Sequence, residues 1–255
     1  MNTILDNFAA ERRAAHIRAA LEVADRVRVV DLAKELKVSE MTIRRDLKEL
    51  EAEGVARRVR GGAVPVGPGP APFVERARHQ ARAKGRVAAK LLPLVAQSGA
   101  IGIDASSTLL RLAAALQGAR DLTVVTNSLE TFAVLQGKLG LTPILTGGQL
   151  DPRTGSLTGT IASRAAGDLL LKRLFVSAAG VDPEFGSTEA CLEEADVKRA
   201  FGAVAEEIVL AVDSTKLGTR AVAQAFRWNQ IAILVTELEP ADRRLDPYRQ
   251  LAEIR

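Results

Sequence analysis

Cysteine is nearly missing from this chain. With Cys191 as the only one, no intrachain disulfide and no cysteine-based zinc site can form, and a reducing compartment is the natural setting. Cys191 itself reads as a small buried hydrophobe. Histidine is scarce too: there are two, and His16, with no second ligand nearby in sequence, reads as a partly exposed helix residue rather than a metal ligand. No uncharged apolar run reaches the ~18 residues of a membrane helix. The opening MNTILDNFAAERR puts Asp6 and Glu11 where a secretory leader needs a basic end and then an apolar run. These absences predict a cytoplasmic protein that engages no membrane. Walker A and GxGxxG patterns are lacking as well, and neither a cofactor nor a metal is expected.

What the chain has is apolar mass and an uneven distribution of charge. Hydrophobic residues are 47% of 255, enough for one large domain or two ordinary ones. The formal charge of +4 divides sharply at residue 90, with 19 Lys and Arg against 12 Asp and Glu before it and 16 against 19 after it. The first third is therefore +7 and the remainder −3. A basic head on a mildly acidic body predicts that only the head meets a polyanion.

The head is organised around SEMTIRRDLKELEAEG, residues 39–54. Ser39 can accept a hydrogen bond from a free first-turn N–H, Glu40 opposes the positive end of the helix dipole, and Gly54 is the expected stop. Ile43, Leu47 and Leu50 recur at helical spacing as one apolar stripe, which turns Thr42, Arg44, Arg45 and Lys48 outward. Arg and Lys near the start of an exposed helix suit a DNA major groove: guanidinium groups for guanine edges, cations and hydroxyls for phosphates. A solvated charged face is the alternative for this helix alone, since Asp46, Glu49, Glu51 and Glu53 share it. Ahead of it two helices are predicted, residues 11–24 with Ala14, Ile17, Leu21 and Ala24 inward and residues 30–36 with Val30, Ala33 and Leu36 inward. Lys37 and Val38 then form a turn, which completes the order of a helix-turn-helix.

The segment VARRVRGGAV, residues 55–64, reads as a wing in which Val55 and Val59 alternate inward while Arg57, Arg58 and Arg60 project before a turn at Gly61 and Gly62. A basic ribbon beside a recognition helix adds phosphate or minor-groove contacts and favours the DNA reading. Residues 65–72, PVGPGPAP, hold four prolines and two glycines, which predicts an extended linker of roughly 25 Å at about 3.1 Å per residue. A basic helix from Phe73 to about Leu92, carrying Arg76, Arg78, Arg82, Lys84, Arg86 and Lys90, then leads into the second domain, and its cations suit DNA or a partner.

Beyond it, apolar runs at 101–103, 122–125, 143–146, 174–179, 207–212 and 232–235 alternate with helical patterns at about 107–116, 128–137, 160–171 and 193–206. Strand–helix alternation implies a mostly parallel sheet covered on both faces. In such sheets ligands sit beyond the carboxyl ends of the strands, and small polar residues cluster there. They are Asp104, Ser106, Ser107 and Thr108; Thr126, Asn127 and Ser128; Gly147 and Gly148; Gly180, Asp182, Gly186 and Thr188; and Asp213, Ser214, Thr215 and Lys216. Each alone is an ordinary cap or turn. Together they offer hydroxyls and N–H groups for an anion, carboxylates and amides for hydroxyls, and lysine charge, which suits a sugar phosphate.

From about residue 10 to 250 the chain resembles the DeoR family of bacterial transcriptional regulators, through SEMTIRRDLKELEAEG and RRVRGGA in the head and DASST, TNS, GG, GVDPEFGST, EEADVKRA and DSTKLG in the body. The resemblance implies an N-terminal winged helix-turn-helix at 8–64, the linker at 65–72, and an α/β sensor domain at 73–255. The sensor fold it implies is similar to ribose-5-phosphate isomerase and the glucosamine-6-phosphate deaminases. Carried over by residue, Asp104, Ser106, Ser107 and Thr108 hold phosphate or neighbouring hydroxyls, Asn127 and Ser128 flank the ligand, Lys198 and Lys216 supply positive charge, and Asp182 and Glu194 match acidic positions. Two departures stand out: Ser106 replaces the family's usual glycine, and Arg60 the usual histidine before Gly61.

The function implied is a ligand-responsive repressor of a sugar or carbohydrate operon, with operator DNA, a phosphorylated sugar effector and further copies of itself, as dimer or tetramer, for partners. Two alternatives stay open at the level of sequence. One is a sugar-phosphate isomerase or deaminase using Asp104, Asp182 or Glu194 as base and Lys216 to stabilise an enediolate-like intermediate. The other is a DNA-binding oligomer whose second domain is vacant.

Overall fold

A computed structural model of the protein describes residues 3–24, 26–53, 55–65 and 73–255 and divides the chain into two compact units, Met1–Pro72 and Phe73–Arg255. The expected stop at Gly54 and residues 66–72 of the linker lie outside the described residues.

The first unit contains α1 (Thr3–Val23), β1 (Val27–Arg28), α2 (Val29–Glu35), α3 (Glu40–Ala52), β2 (Ala56–Val59) and β3 (Gly62–Pro65). Helix α3 starts where its cap predicts: Ser39 is extended and its hydroxyl accepts from the Thr42 N–H at 3.1 Å. Ile43, Leu47 and Leu50 are buried with Ile17 and Leu21 of α1 and Leu32 of α2, each contributing about 1.5–3 kcal/mol through burial. The strands form an antiparallel sheet in the order β1-β3-β2. A side chain at Gly62 would collide with the Val27 carbonyl, so the first residue of β3 must be glycine for the close approach of β1.

Several sequence expectations for this unit change. Helix α1 begins at Thr3 and leaves Ala24 outside it and exposed. Because α2 begins at Val29, its inward residues are Val29, Leu32 and Ala33, and Val30 faces outward. The inward residue of the wing's first strand is Ala56, with Val55 and Val59 half-buried. Asp46 is not on a solvated face; it is buried against Arg13, whose Nη2 donates to Oδ1 at 2.9 Å. Strand β1 carries no sequence signal of its own because it is two residues long.

The second unit opens with α4 (Phe73–Arg78) and α5 (Ala81–Leu91). The single basic helix expected here is broken at Gln80, whose φ of 54° lies in the left-handed region. Then follow β4 (Ser98–Ile103), α6 (Ser107–Ala115), β5 (Asp121–Thr126), α7 (Leu129–Leu135), β6 (Leu141–Leu145), β7 (Gln149–Leu150), β8 (Leu157–Thr158), α8 (Gly159–Gly167) and β9 (Arg173–Val176). The chain continues through β10 (Gly180–Asp182), β11 (Gly186–Glu189), α9 (Leu192–Ala203), β12 (Ile208–Ala211), β13 (Ala223–Phe226), β14 (Ile233–Val235) and β15 (Glu253–Ile254).

Seven strands form a parallel sheet in the order β15-β14-β12-β9-β4-β5-β6. Successive residues of its central strands feed opposite faces: Leu174 and Val176 join Phe201, Ala162 and Ala166 on one side, while Phe175 joins Val87, Leu91 and Leu109 on the other. All six expected runs contribute a strand. Ser177–Ala179 leave the sheet, and β15 and the small antiparallel sheet β10-β11-β13 were not foreseen. From the centre the chain steps outward through β4, β5 and β6 on one side and through β9, β12, β14 and β15 on the other. The topological switch point therefore lies between β4 and β9, the place where sheets of this kind hold their ligand crevice.

Candidate functional site

The first unit presents cations along α3 and the wing. Arg44, Arg45 and Lys48 are exposed, as the apolar stripe requires. Arg44 pairs with Glu40 at 3.0 Å and Arg45 with Glu49 at 3.3 Å, both one turn apart on the same helix. Arg58 pairs with Glu51 at 3.1 Å, and its backbone N–H donates to the same carboxylate. Lys48 and Arg60 have no ion-pair partner among the described residues. Thr42 and Ser39 share a hydroxyl–hydroxyl bond of 2.9 Å within the cap, and the Arg57 side chain lies outside the described residues. A groove of about 440 Å³ runs between helix and wing, bordered by Arg44, Leu47, Arg58, Arg60 and the Gly61 turn. Its rim is basic, which suits a phosphate backbone.

In the second unit the strand ends converge on the switch point. Asp104 follows β4, and its Oδ2 accepts from the Ser177 N–H just after β9 at 2.9 Å. The same oxygen stands 2.7 Å from Lys198 Nζ of α9, which also lies 2.6 Å from Glu189 Oε1 and donates to the Ser177 carbonyl at 2.6 Å. Glu194, one turn before Lys198, accepts from Ser156 Oγ at 3.1 Å. These side chains are all buried. Burial, reinforced by the Glu194 and Asp104 charges and opposed by Lys198, pushes Glu189 up to about 7. Burial alone would lower the Lys198 ammonium, but Asp104, Glu189 and Glu194 around it hold it above its usual value.

The hydroxyl residues have defined tasks. Ser106 caps α6 by accepting from the Leu109 N–H at 3.1 Å, and Ser128 caps α7 by accepting from the Thr131 N–H at 3.1 Å. Thr126 Oγ1 accepts from the Ser128 N–H, and Thr108 is buried in the first turn of α6. Asn127 bridges two loops: its Oδ1 accepts from the Ala105 N–H at 3.1 Å and its Nδ2 donates to the Leu157 carbonyl at 3.2 Å. Gly147 and Gly148 both have positive φ, and a Cβ on Gly148 would stand 2.6 Å from the Thr158 carbonyl oxygen and 2.9 Å from the Ala162 Cβ. Gly148 is thus needed for packing against α8. Asp182 is the last residue of β10, paired with Gly186 of β11. Its Oδ1 accepts from Glu184 and Phe185 N–H groups, its Oδ2 accepts from Arg220 at 2.6 Å, and that guanidinium holds its carboxyl below the usual range.

Sequence reasoning missed a cationic side of the crevice. Lys84 was read only as one of the cations of a basic helix leading into the second domain, yet it shares the buried stripe of α5 with Val87, Ala88 and Leu91, and that spacing was the available signal. Its Nζ donates to the Arg76 carbonyl at 2.6 Å, and the same carbonyl accepts from Ser107 Oγ at 3.3 Å, which sets Lys84 beside the start of α6. Burial lowers Lys84 to about 8; Asp213 opposes this, while Lys216, Arg76 and Arg111 add to it. Arg76 Nε is buried without a hydrogen-bond partner. Glu189 was also missed, because nothing local distinguishes it from other surface glutamates. Among the described residues no His, Cys, Asp and Glu cluster has the arrangement to hold a metal. Cys191 is half-buried, and burial pushes its thiol up to about 11, away from reactivity.

A basic winged helix in the same chain as a doubly wound α/β unit with a polar crevice is the construction of a one-component transcriptional regulator. The chain belongs to the DeoR family: residues 13–67 match the DeoR-like helix-turn-helix domain and residues 79–238 match the DeoR C terminal sensor domain. It is 32% identical to the HTH-type transcriptional regulator GolR of Listeria innocua, over 85% of this chain and 86% of that protein. It is 29% identical to the lactose phosphotransferase system repressor of Streptococcus mutans, over 94% and 98% respectively. It is 28% identical to the glycerol-3-phosphate regulon repressor of Escherichia coli, over 82% and 84%.

Proposed function

We propose that the protein represses an operon for sugar or carbohydrate metabolism and that a phosphorylated sugar, bound at the switch point, releases it from operator DNA. The observation that carries this reading is the division of charge in the crevice. Lys84 sits beside the start of α6 within electrostatic reach of Lys216, Arg76 and Arg111, while Asp104, Glu189 and Glu194 lie around Lys198. Cations and a helix N-terminus suit phosphate; carboxylates suit hydroxyl donors. Two of the relatives are named as repressors, one of a lactose phosphotransferase system and one of a glycerol-3-phosphate regulon.

In this reading Ser107, Thr108 and Lys216 face the phosphate with Lys84, and Asp104 and Glu194 face the sugar. Thr126, Asn127, Ser128, Gly147 and Gly148 shape the loops around it. Ser106 contributes through its cap, and Lys198 through the carboxylates it holds. Asp182 supports the neighbouring hairpin. In the head, Arg44 and Arg45 read bases, while Lys48, Arg57, Arg58 and Arg60 grip phosphates and Ser39 and Thr42 fix the entry of α3. Two heads are needed for an operator with two half-sites, so the working form is a symmetric oligomer, dimer or tetramer, acting in the cytoplasm. No helix among the described residues is long and apolar enough to cross a membrane. The protein is not an enzyme in this reading: Asp104, the mobile base an isomerase needs, is tied to Lys198 and the Ser177 N–H.

The test is the melting temperature of the full chain against sugar phosphates, phosphorylated polyols and their unphosphorylated counterparts. A rise that requires the phosphate supports the reading. No rise with any compound sinks the sensor role and leaves a DNA-binding protein with a structural second domain.

A further inference from the structure

The Lys198 ammonium has three N–H donors, and all three are in use: Asp104 Oδ2 at 2.7 Å, Glu189 Oε1 at 2.6 Å and the Ser177 carbonyl at 2.6 Å. Nothing on Lys198 is left for Glu194 or for the other oxygen of Asp104. Asp104 Oδ1 is buried and accepts no hydrogen bond from the protein. Glu194 Oε1 accepts a single hydroxyl, that of Ser156 at 3.1 Å, and Ser156 Oγ is shared in turn with Thr154 Oγ1. Among the described residues, Lys198 is thus the one cation within ion-pair distance of these three carboxylates, each more than nine-tenths buried, and it is already committed. Buried charge without a partner is costly.

A ligand that completes this end of the crevice must bring donors and positive charge. A sugar hydroxyl brings one donor and no charge. A primary ammonium brings three donors and the charge itself. A phosphate is repelled here and drawn instead to Arg76, Lys84 and Lys216, whose neighbourhood holds Asp213 as the one acidic influence on Lys84. We propose that the effector is a phosphorylated primary amine, such as an amino sugar phosphate, whose ammonium binds Asp104 Oδ1 and Glu194 while its phosphate meets the cations near α6. The inference rests on the reading of the crevice as the effector site and adds the chemical class of the ligand. Burial and its acidic neighbours lift the Glu189 pKa to about 7, which reflects the crowding of negative charge at this end.

The experiment measures binding to the full chain for matched pairs of probes that differ only in the amine. The pairs are glucosamine 6-phosphate with glucose 6-phosphate, galactosamine 6-phosphate with galactose 6-phosphate, and phosphoethanolamine with 2-hydroxyethyl phosphate; N-acetylglucosamine 6-phosphate serves as an amine-blocked control. The expected result is that in at least one pair the amine binds about tenfold tighter or more, with the N-acetylated sugar no better than the hydroxyl form. In Glu194→Gln, which keeps an acceptor for Ser156 but loses the charge, the ratio of affinities within that pair should shrink to about threefold or less, whatever the affinity of the hydroxyl member becomes. Equal affinity within every pair, or tightest binding of the N-acetylated sugar, overturns the amine preference and leaves the sugar-phosphate reading standing. Failure of every probe, in protein that melts cooperatively, counts against both.

Discussion

Lys198 Nζ lies 2.7 Å from Asp104 Oδ2, and this contact ties α9 to the end of β4 at the point where the order of the strands reverses. The pair is buried, so its worth lies in what happens when one member is removed. Lys198→Met leaves three carboxylates without their cation and is expected to destabilise the second unit by about 3–5 kcal/mol. The change should appear as a lower denaturation midpoint at an unchanged m-value. A midpoint equal to that of the unaltered protein would show that the cluster is not held by this pair.

Lys84 gives the crevice a pH dependence. Its pKa of about 8 in the folded protein lies below the ordinary 10.5, so between those values the unfolded chain binds more protons and stability rises with pH. A phosphate beside Lys84 favours its charged form, and binding therefore takes up a proton where the free lysine has lost one. Affinity for a sugar phosphate should fall as pH climbs above about 8. Lys84→Met should weaken binding and flatten that fall; titrations across the alkaline range that stay parallel for the two proteins speak against Lys84 as a phosphate ligand.

Those two lysines mark how far the sequence reached. The cap at Ser39, the stripe of Ile43, Leu47 and Leu50, and the six apolar runs of the parallel sheet were legible because each is set by neighbours a few residues away. Asp104, Asn127 and Ser128 were legible as residues of strand ends and loops, and Glu194 only through the family resemblance. Their partners were not: that Asp46 is buried on Arg13, or Glu189 on Lys198, depends on residues 33 and 9 positions apart folding together. Short strands hid for a related reason. β1 and β15 are two residues each and are strands only because β3 and β14 lie beside them.

Arg13 and Asp46 make a bidentate contact that fixes α1 against α3. The carboxylate is buried and the guanidinium largely so. Arg13→Ala strands a buried charge beneath the recognition helix and is expected to lower the stability of the head by about 1–3 kcal/mol. Hydrogen exchange of the α3 amides is the direct readout; unchanged protection in the variant sets the pair aside as a support for that helix.

On the outer face of α3, Arg44→Ala or Arg45→Ala should weaken operator binding by about 1–3 kcal/mol where the side chain reads a base. Lys48→Ala should weaken binding to all sequences alike and reduce the salt slope by about one. Because Arg44 and Arg45 are paired with Glu40 and Glu49 in the free protein, Glu40→Gln or Glu49→Gln should tighten binding to DNA of any sequence. Binding curves that are unaffected by all of these changes remove α3 as the reading element.

Coupling of operator binding to a phosphorylated ligand in the crevice of the same chain can be measured in a single titration. Full-length protein is bound to a fluorescent operator fragment from its own upstream region, and the ligand that most raises its melting temperature is added while anisotropy is followed. The account predicts release of the operator by the phosphorylated ligand and none by its unphosphorylated form, with release lost in Lys84→Met while operator binding itself stays intact. Operator binding that stays the same while the ligand saturates the crevice contradicts it, since a ligand that shifts no equilibrium has equal affinity for both states.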